Sequence, residues 1–316
     1  MNPKKALKML LHYELVSAVV YRPYCTKETL LQEKARPFHV LRAPKGYWLS
    51  DPVLFTHEGR SFLFMEAFDM PNYVGEIAVT ELKGADTALP QVILKEPFHM
   101  SFPRVFRWNE GIFMLPECSE DKSIRLYEAT DFPTGWKCVK RFETKAGYVD
   151  TIVLKTTPDS VTILTSETSP DVQYACRYQK FTLRREGEDF TLLPDEAFNG
   201  AQTFSYRARN AGALIETEGQ LLLPAQESTD IAYGVNLNFY PYREESADLT
   251  QGAVCKVTPR DIRVEGLKGI EGTHSYCVND AYEVVDALYL AWSPLKYIRR
   301  FRRRLRLKRQ GREQKR

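Results

Sequence analysis

Five times along this chain of 316 residues a similar two-strand pattern recurs. It reads DPVLFTHEGRSFLFME from Asp51 to Glu66 and FPRVFRWNEGIFMLPE from Phe102 to Glu117. It returns as DTIVLKTTPDSVTILTSE from Asp150 to Glu167 and as RNAGALIETEGQLLLPAQ from Arg209 to Gln226. A worn fifth copy, HSYCVNDAYEVVD, runs from His274 to Asp286. Each copy is an apolar strand, a short polar turn and a second apolar strand, and the first three end in a carboxylate. A repeat of this kind constrains architecture more tightly than local propensity does, because every unit must solve the same packing problem.

The copies start 51, 48, 59 and 65 residues apart. That is long for a hairpin and suits a four-stranded propeller blade, whose period is roughly 40–50 residues. Further alternating runs rich in Val, Ile, Tyr and Phe lie between the copies, such as Val74–Leu82, Ser123–Ala129, Gln173–Thr182 and Ala232–Tyr240. Turn signals such as HEG, WNEG and TEG separate the paired strands. Helical periodicity is nearly absent from residue 37 to 290. The fold expected is an all-β, five-bladed β-propeller with a basic, helical C-terminal tail; a sandwich or jelly roll gives no reason for a fivefold repeat. The expected organisation is an N-terminal segment over 1–36, the propeller over 37–292 and the tail over 293–316. Within the first, Glu14–Tyr21 is read as a strand that closes the ring against the last blade.

No run of 18 apolar residues is present to span a membrane. Lys4, Lys5 and Lys8 precede an apolar stretch, but His12 and Glu14 interrupt it and no small-residue cleavage site follows. A cytoplasmic location is therefore expected, peripheral at the inner face of a membrane. The six cysteines show no CxxC spacing and are expected as free thiols, without zinc, disulfides or any cofactor.

The formal charge of +3 conceals an asymmetry. From Lys296 onward there are 12 Lys and Arg against one acid, and the remainder of the chain carries 32 basic and 40 acidic residues. An acidic body gives no reason to expect nucleic-acid binding. In the tail, Ile298, Phe301 and Leu305 fall on one helical stripe among arginines, as in a helix lying on an anionic membrane surface through residues 295–316. An acidic partner protein or nucleic acid are the rival partners, and a solvated tail is the plain alternative.

In a propeller the first strand of each blade lines the central channel, so residues at one end of these strands converge although distant in sequence. Aligned as written, Asp51, Asp150, Arg209 and His274 begin equivalent strands. Glu66, Glu117 and Glu167 end the partner strands, with Gln226 in the same register. Convergent acids suit glycoside hydrolysis, where one carboxylic acid protonates the leaving oxygen and one carboxylate activates water or attacks the sugar. His99 and Arg104, in FHMSFPR, are candidates to contact a sugar or phosphate. Tyr47 and Trp48 either stack on a sugar ring or pack between blades. Each acid also has a structural reading as a turn or strand-end cap. No phosphate-binding loop, HExxH or GxSxG is present.

The string WLSDPVLF resembles the opening motif of the five-bladed β-propeller glycosidase (family 43/32-like) superfamily, and PEC at 116–118 resembles its Glu-Cys acid motif. A longer resemblance runs from about Phe38 to Asp286 through VILKEPFHMSFPRVF, GIFMLPECSEDKSIRLYEATDFPTGW, YGVNLNF and GTHSYCVNDAYEVVD. It is to the propeller domain named for the N-terminal part of plant glucosamine inositolphosphorylceramide transferase. That resemblance implies Asp51 as base or nucleophile, Glu117 as general acid and Asp150 as a third aspartate that sets pKa or steadies the transition state. It leaves Glu66, His99, Arg104, Arg209, Gln226 and His274 as substrate-binding candidates. A carbohydrate-active funnel serving cell-surface glycan synthesis or processing is the reading that results. The alternative is a non-catalytic module that binds a glycan or lipid-linked sugar beside a separate glycosyltransferase.

Overall fold

A computed structural model describes residues 13–25, 29–32, 36–217, 219–244, 249–250 and 252–313. The chain opens on β1 (Tyr13–Pro23) and β2 (His39–Val40), which take their place in the last blade. Blade one is β3 (Tyr47–His57), β4 (Arg60–Asp69), β5 (Val74–Glu81) and β6 (Gln91–Leu94). Blade two is β7 (Ser101–Trp108), β8 (Gly111–Glu117), β9 (Ser123–Asp131) and β10 (Gly135–Glu143). Blade three is β11 (Tyr148–Thr156), β12 (Ser160–Thr168), β13 (Cys176–Glu186) and β14 (Asp189–Pro194), followed by the short helix α1 (Glu196–Gly200). Blade four is β15 (Arg209–Asn210), β16 (Ile215–Thr217), β17 (Gln220–Glu227), β18 (Asn236–Pro241) and β19 (Cys255–Val257). Blade five begins with β20 (Ile270–Gly272), β21 (Tyr276–Val278) and β22 (Tyr282–Trp292), and α2 (Lys296–Glu313) ends the chain.

All strand pairs within the blades are antiparallel, and each repeat copy forms the inner two strands of its blade. The ring is the all-β, five-bladed propeller that the repeat predicts. Residues 1–12 of the expected N-terminal segment lie outside the described residues. Its strand is β1, which pairs with β22 over the full length from Tyr13↔Trp292 to Pro23↔Tyr282. The last blade thus takes strands from both ends of the chain. A buried ion pair locks that closure: Arg22 Nε donates to Glu283 Oε2 at 2.6 Å, while Glu283 Oε1 accepts from Leu30 N at 2.6 Å and Tyr276 Oη at 2.7 Å.

The apolar core is divided among the seams between blades. Leu63 and Met65 of blade one pack with Val19 and Val284 of blade five. Phe64 and Ile77 meet Val105 and Met114 of blade two, and Phe113 and Leu126 meet Ile163 and Phe181 of blade three. Leu164 and Tyr178 meet Leu223 of blade four, which in turn presents Leu237 and Phe239 to Val20 and Ala287. Alternation along each strand sends one set of side chains to each neighbouring seam, so every blade is apolar on both faces.

One local device recurs where the inner strands begin. The pairing is Ser50↔Glu66 then Val53↔Phe64, Ser101↔Glu117 then Arg104↔Leu115, and Val149↔Ser166 then Ile152↔Leu164. Each inner strand therefore carries one extra residue at the same place, a β-bulge. The residue after each anchor has a left-handed backbone: Asp51 at φ 49°, Phe102 at φ 42° and Asp150 at φ 51°. Asp accepts that conformation more readily than Phe, for which it is strained. The bulge places Asp51 and Asp150 inward, while Phe102 fills the same position in blade two with a buried ring.

Candidate active site

The channel rim where the inner strands begin holds a cavity of about 340 Å³, bordered by Asp51, Glu66, His99, Glu117, Arg209 and His274 among others. Four of the five blades supply these six side chains, and all six were candidates from the sequence. Tyr13, Glu14, Trp48 and Phe68 form part of the outer wall, and Lys296, Tyr297 and Arg300 of α2 reach it from above. Trp48 stacks on Phe68 with centroids 4.4 Å apart and still faces the cavity, so packing and wall-forming are both served.

Asp51 is 5% exposed and sits opposite His274, whose Nε2 lies 3.2 Å from Asp51 Oδ1; Ser275 Oγ donates to the same oxygen at 3.0 Å. His274 Nδ1 lies 2.6 Å from Asp286 Oδ2. The inner strand of blade five is broken here, and the amides of His274 and Ser275 donate to Asp286 Oδ1 at 2.8 and 3.1 Å in place of a strand neighbour. Burial opposes charging His274, yet Asp286 and Asp51 on its two nitrogens raise its pKa well above the ordinary imidazole value. Burial likewise opposes ionising Asp51, but the imidazolium and then Arg209 outweigh it and hold the carboxyl below its usual range. Asp51, His274 and Asp286 are also a trio with donor atoms within 4.8 Å of one another.

Arg209 joins a second pair of acids. Its Nε donates to Asp150 Oδ2, and its Nη2 lies 4.0 Å from Glu117 Oε2. Gln226 Nε2 donates to Asp150 Oδ2 at 3.1 Å and to Asn210 O at 2.8 Å. Asp150 and Gln226 are 1% and 0% exposed and do not border the cavity; they lie behind Arg209 and fix its guanidinium. Burial works against that charge, but Asp150 and Glu117 hold it far above the ordinary arginine value. Tyr233 packs its ring 5.1 Å from the guanidinium and edge-on to His274 at 5.6 Å, bridging the two halves of the site.

Glu117 is bonded at Oε1 by Ser119 Oγ, 2.7 Å away, while Oε2 has no hydrogen-bond partner. Burial, then the charge of Asp150, raises its pKa to about 7. Burial, then Asp51, also raises Glu66 well above the carboxylate range. His99 Nε2 approaches Glu66 Oε1 at 3.4 Å, and Gly75 N donates to His99 Nδ1 at 3.0 Å. Accepting at Nδ1 assigns the imidazole proton to Nε2, facing Glu66. Burial, then Arg303, lowers His99 to about 4, so this contact is between neutral groups at neutral pH rather than an ion pair. The rim thus divides its acids by environment: Asp51 is held below the usual carboxylate range, while Glu66 and Glu117 are pushed above it.

Arg104 does not border the cavity. Its guanidinium is lowered to about 10 by burial, lies near Cys277 and has an unbonded Nε. Glu167 also stands apart: it pairs with Tyr148, one residue outside the bulge anchor, and binds Arg177 at 2.9 Å. Ser166 occupies the place equivalent to Glu66 and Glu117. Blade four is likewise offset, since register puts Arg209, not Asn210, opposite Gln226. Asn210 follows that anchor without a bulge, in register with Ala225, and its side-chain amide donates to Asp150 O and Leu164 O. Asp286, Ser275 and Tyr233 were not among the sequence candidates. The first has a signal in the repeat, because the fifth copy also ends in a carboxylate.

The family model described as glucosamine inositolphosphorylceramide transferase 1, N-terminal, matches residues 42–248. The chain belongs to that family. The matched span contains Asp51, Glu66, His99, Glu117, Asp150 and Arg209 of the site, and ends before the His274–Asp286 pair. Glucosamine inositolphosphorylceramide transferase 1 of Oryza sativa subsp. indica is 35% identical over 95 residues, 29% of this chain and 13% of that protein. Its counterpart in Arabidopsis thaliana is 36% identical over 95 residues, 29% of this chain and 12% of that protein. The match to this glucosamine inositolphosphorylceramide transferase family therefore spans about an eighth of those relatives' length. Among solved structures, β-1,2-mannobiose phosphorylase from Listeria innocua aligns with TM-score 0.52 at 10% identity, covering 84% of this chain and 96% of that one. A hypothetical protein from Leishmania major aligns with TM-score 0.50 at 11% identity, covering 85% and 90%. At such identities the likeness shows the propeller fold that the family member shares with them. All six cysteines are free, and no helix among the described residues is long and apolar enough to cross a membrane.

Proposed function

We propose that the rim cavity binds a carbohydrate or glycolipid headgroup and cleaves or transfers at a glycosidic bond by glycosidase-like acid–base chemistry. The observation that carries this reading is the contrast between Asp51 and Glu117 on one cavity wall: the first held ionised, the second raised to about 7. Paired acids with opposed environments define acid and base roles in sugar chemistry. Glu117 donates its proton to the leaving oxygen. Asp51 takes a proton from the attacking water or attacks the anomeric carbon directly. Arg209, oriented by Asp150 and Gln226, and the neutral Glu66–His99 pair supply hydrogen bonds to sugar hydroxyls. A cavity of about 340 Å³ is a size that a short saccharide fills, near the lower end of ligand pockets at roughly 300–1,000 Å³. The plant relatives are named glucosamine inositolphosphorylceramide transferase 1, which supports a glycolipid as the substrate class; a site of action on the cytoplasmic face of a membrane is part of the same proposal.

A second reading is a binding module that presents the sugar to a separate glycosyltransferase. It is favoured by one observation: the imidazolium on Asp51 Oδ1 damps that carboxylate as a base. Glycans from the native host and a panel of aryl glycosides discriminate the two. Under the first reading Glu117→Gln lowers turnover of native glycans by about 10²–10⁴-fold and loses less on aryl glycosides, whose leaving groups need no protonation. Asp51→Asn loses turnover on both while retaining binding. Saccharide binding with no turnover of any of these substrates by the native protein overturns the catalytic reading in favour of the module.

A further inference from the structure

The C-terminal helix sits on the propeller with its polarity reversed. Three of its basic side chains reach the protein: Lys296, 3% exposed, donates through Nζ to Tyr13 O at 2.6 Å. Arg300 donates to Tyr73 Oη at 2.7 Å and Glu14 Oε1 at 3.1 Å, and Arg303 to Glu120 Oε1 at 2.6 Å. Its apolar side chains face away, with Ile298 51%, Phe301 61% and Leu305 43% exposed, and Leu295 just before it is 50% exposed. At roughly 100° per residue, Lys296, Arg300 and Arg303 share one side of the helix and Ile298, Phe301 and Leu305 the opposite one. A helix that only needed to pack would turn its apolar stripe toward the core.

We infer that α2 is a membrane-docking element: it seats the propeller on an anionic lipid surface with the cavity mouth at the headgroup layer. Interfacial helices lie with such an apolar face about 5–10 Å into the headgroup–acyl boundary. Arg302, Arg304 and Lys308 are exposed beside it, where anionic headgroups meet them. A second copy of this chain is a poor occupant, because stripe-to-stripe contact would bring two tails of 12 basic residues against each other. The same helix that carries the stripe borders the cavity through Lys296, Tyr297 and Arg300. Resting on the carbohydrate reading above, this arrangement selects as ligand the sugar headgroup of a membrane lipid rather than a free oligosaccharide.

The experiment sediments the full chain with vesicles of phosphatidylcholine alone and of phosphatidylcholine with phosphatidylserine, and follows tryptophan emission, to which the exposed Trp292 just before the helix contributes with three other indoles. The native chain binds the anionic vesicles with a blue shift, and binds neutral ones weakly. Ile298→Ser with Phe301→Ser, which keeps every charge and touches no cavity residue, weakens vesicle affinity by about tenfold or more. Asp51→Asn leaves vesicle binding unchanged, so loss of turnover and loss of docking are separable. Unaltered sedimentation of the double variant overturns the inference. So does a lipid-free dimer of the native chain that the same substitutions dissolve, which would make the stripe a self-association surface.

Discussion

His274 stands between Asp51 and Asp286, its Nε2 3.2 Å from one carboxylate and its Nδ1 2.6 Å from the other. All three side chains are buried, and each imidazole nitrogen faces one carboxylate. The arrangement couples the last blade to the first at the axis. Asp286 holds the broken inner strand through backbone amides, and His274 transmits that anchorage to Asp51.

Replacing His274 by Gln leaves two buried carboxylates facing a neutral amide. The signs are opposite for the partners. His274 is raised, so its contribution is present below its ordinary value of 6.5 and is lost as pH rises through the folded one. Asp51 is lowered, so its contribution is present above its ordinary 3.8 and is lost as pH falls through the folded one. Both contributions are therefore full between 3.8 and 6.5, and above 6.5 the part due to His274 declines toward its raised folded value. His274→Gln costs about 3–5 kcal/mol at pH 7 in urea unfolding, as does breaking other buried ion pairs. In the same variant the acid limb of any saccharide-binding or turnover profile moves to higher pH, because Asp51 has lost its cation. An unchanged acid limb would show that His274 serves the fold alone.

Glu117 behaves in the reverse sense. Its pKa rises from 4.5 to about 7 on folding, so its contribution to stability is full below 4.5 and is lost as pH rises through about 7. Glu117→Gln removes that dependence. The variant is more stable than the native chain at pH 8 by about 1–3 kcal/mol and flatter in stability between pH 5 and 8. Thermal unfolding across that range checks both. A native-like slope in the variant would place the titration on another acid, Glu66 being the nearest rival.

The repeat made the ring, its blade number and the convergence of Asp51, Glu66 and Glu117 legible, since strand starts and partner-strand ends must meet at one rim. The offsets were not legible. Period-two alternation makes a shift of one residue decisive, so Glu167 leaves the rim while Ser166 takes its place. The three bulges that set those offsets carry Asp, Phe and Asp, which share no turn signature. Tyr233 arrives from a loop outside the repeat, and its one local sign is the adjacent Gly234, at φ +62°, where a Cβ would stand 2.6 Å from His274. The tail's helix and its apolar stripe could be read from spacing. Its seat across the cavity could not, because that depends on Glu14, Tyr73 and Glu120 meeting only after the ring closes.

Gly75 tests how tightly the neutral wall of the cavity is built. A Cβ there would lie 2.4 Å from Met100 O, 2.6 Å from Glu66 Oε1 and 2.7 Å from His99 Cε1. The carbonyl cannot yield without moving the chain that holds His99. Gly75→Ala costs about 1–3 kcal/mol by overpacking and weakens saccharide binding. Parallel urea unfolding and calorimetric titration check the two effects. Native stability in this variant would mean that the segment around Met100 shifts freely.

The ring closes where β1 pairs with β22 along its whole length, joining the N-terminal strand to blade five. Arg22 and Glu283 cross that junction with 1% and 0% side-chain exposure. Glu283 also satisfies Leu30 N and Tyr276 Oη, so its loss orphans three donors at once. Glu283→Ala therefore destabilises by about 3–5 kcal/mol or more, because it removes the carboxylate from a buried ion pair with Arg22. Hydrogen exchange locates the damage: amides of β1 and β22 lose protection ahead of those in blades two and three. Uniform loss of protection around the ring would mean that closure and blade packing unfold as one unit rather than from the latch outward.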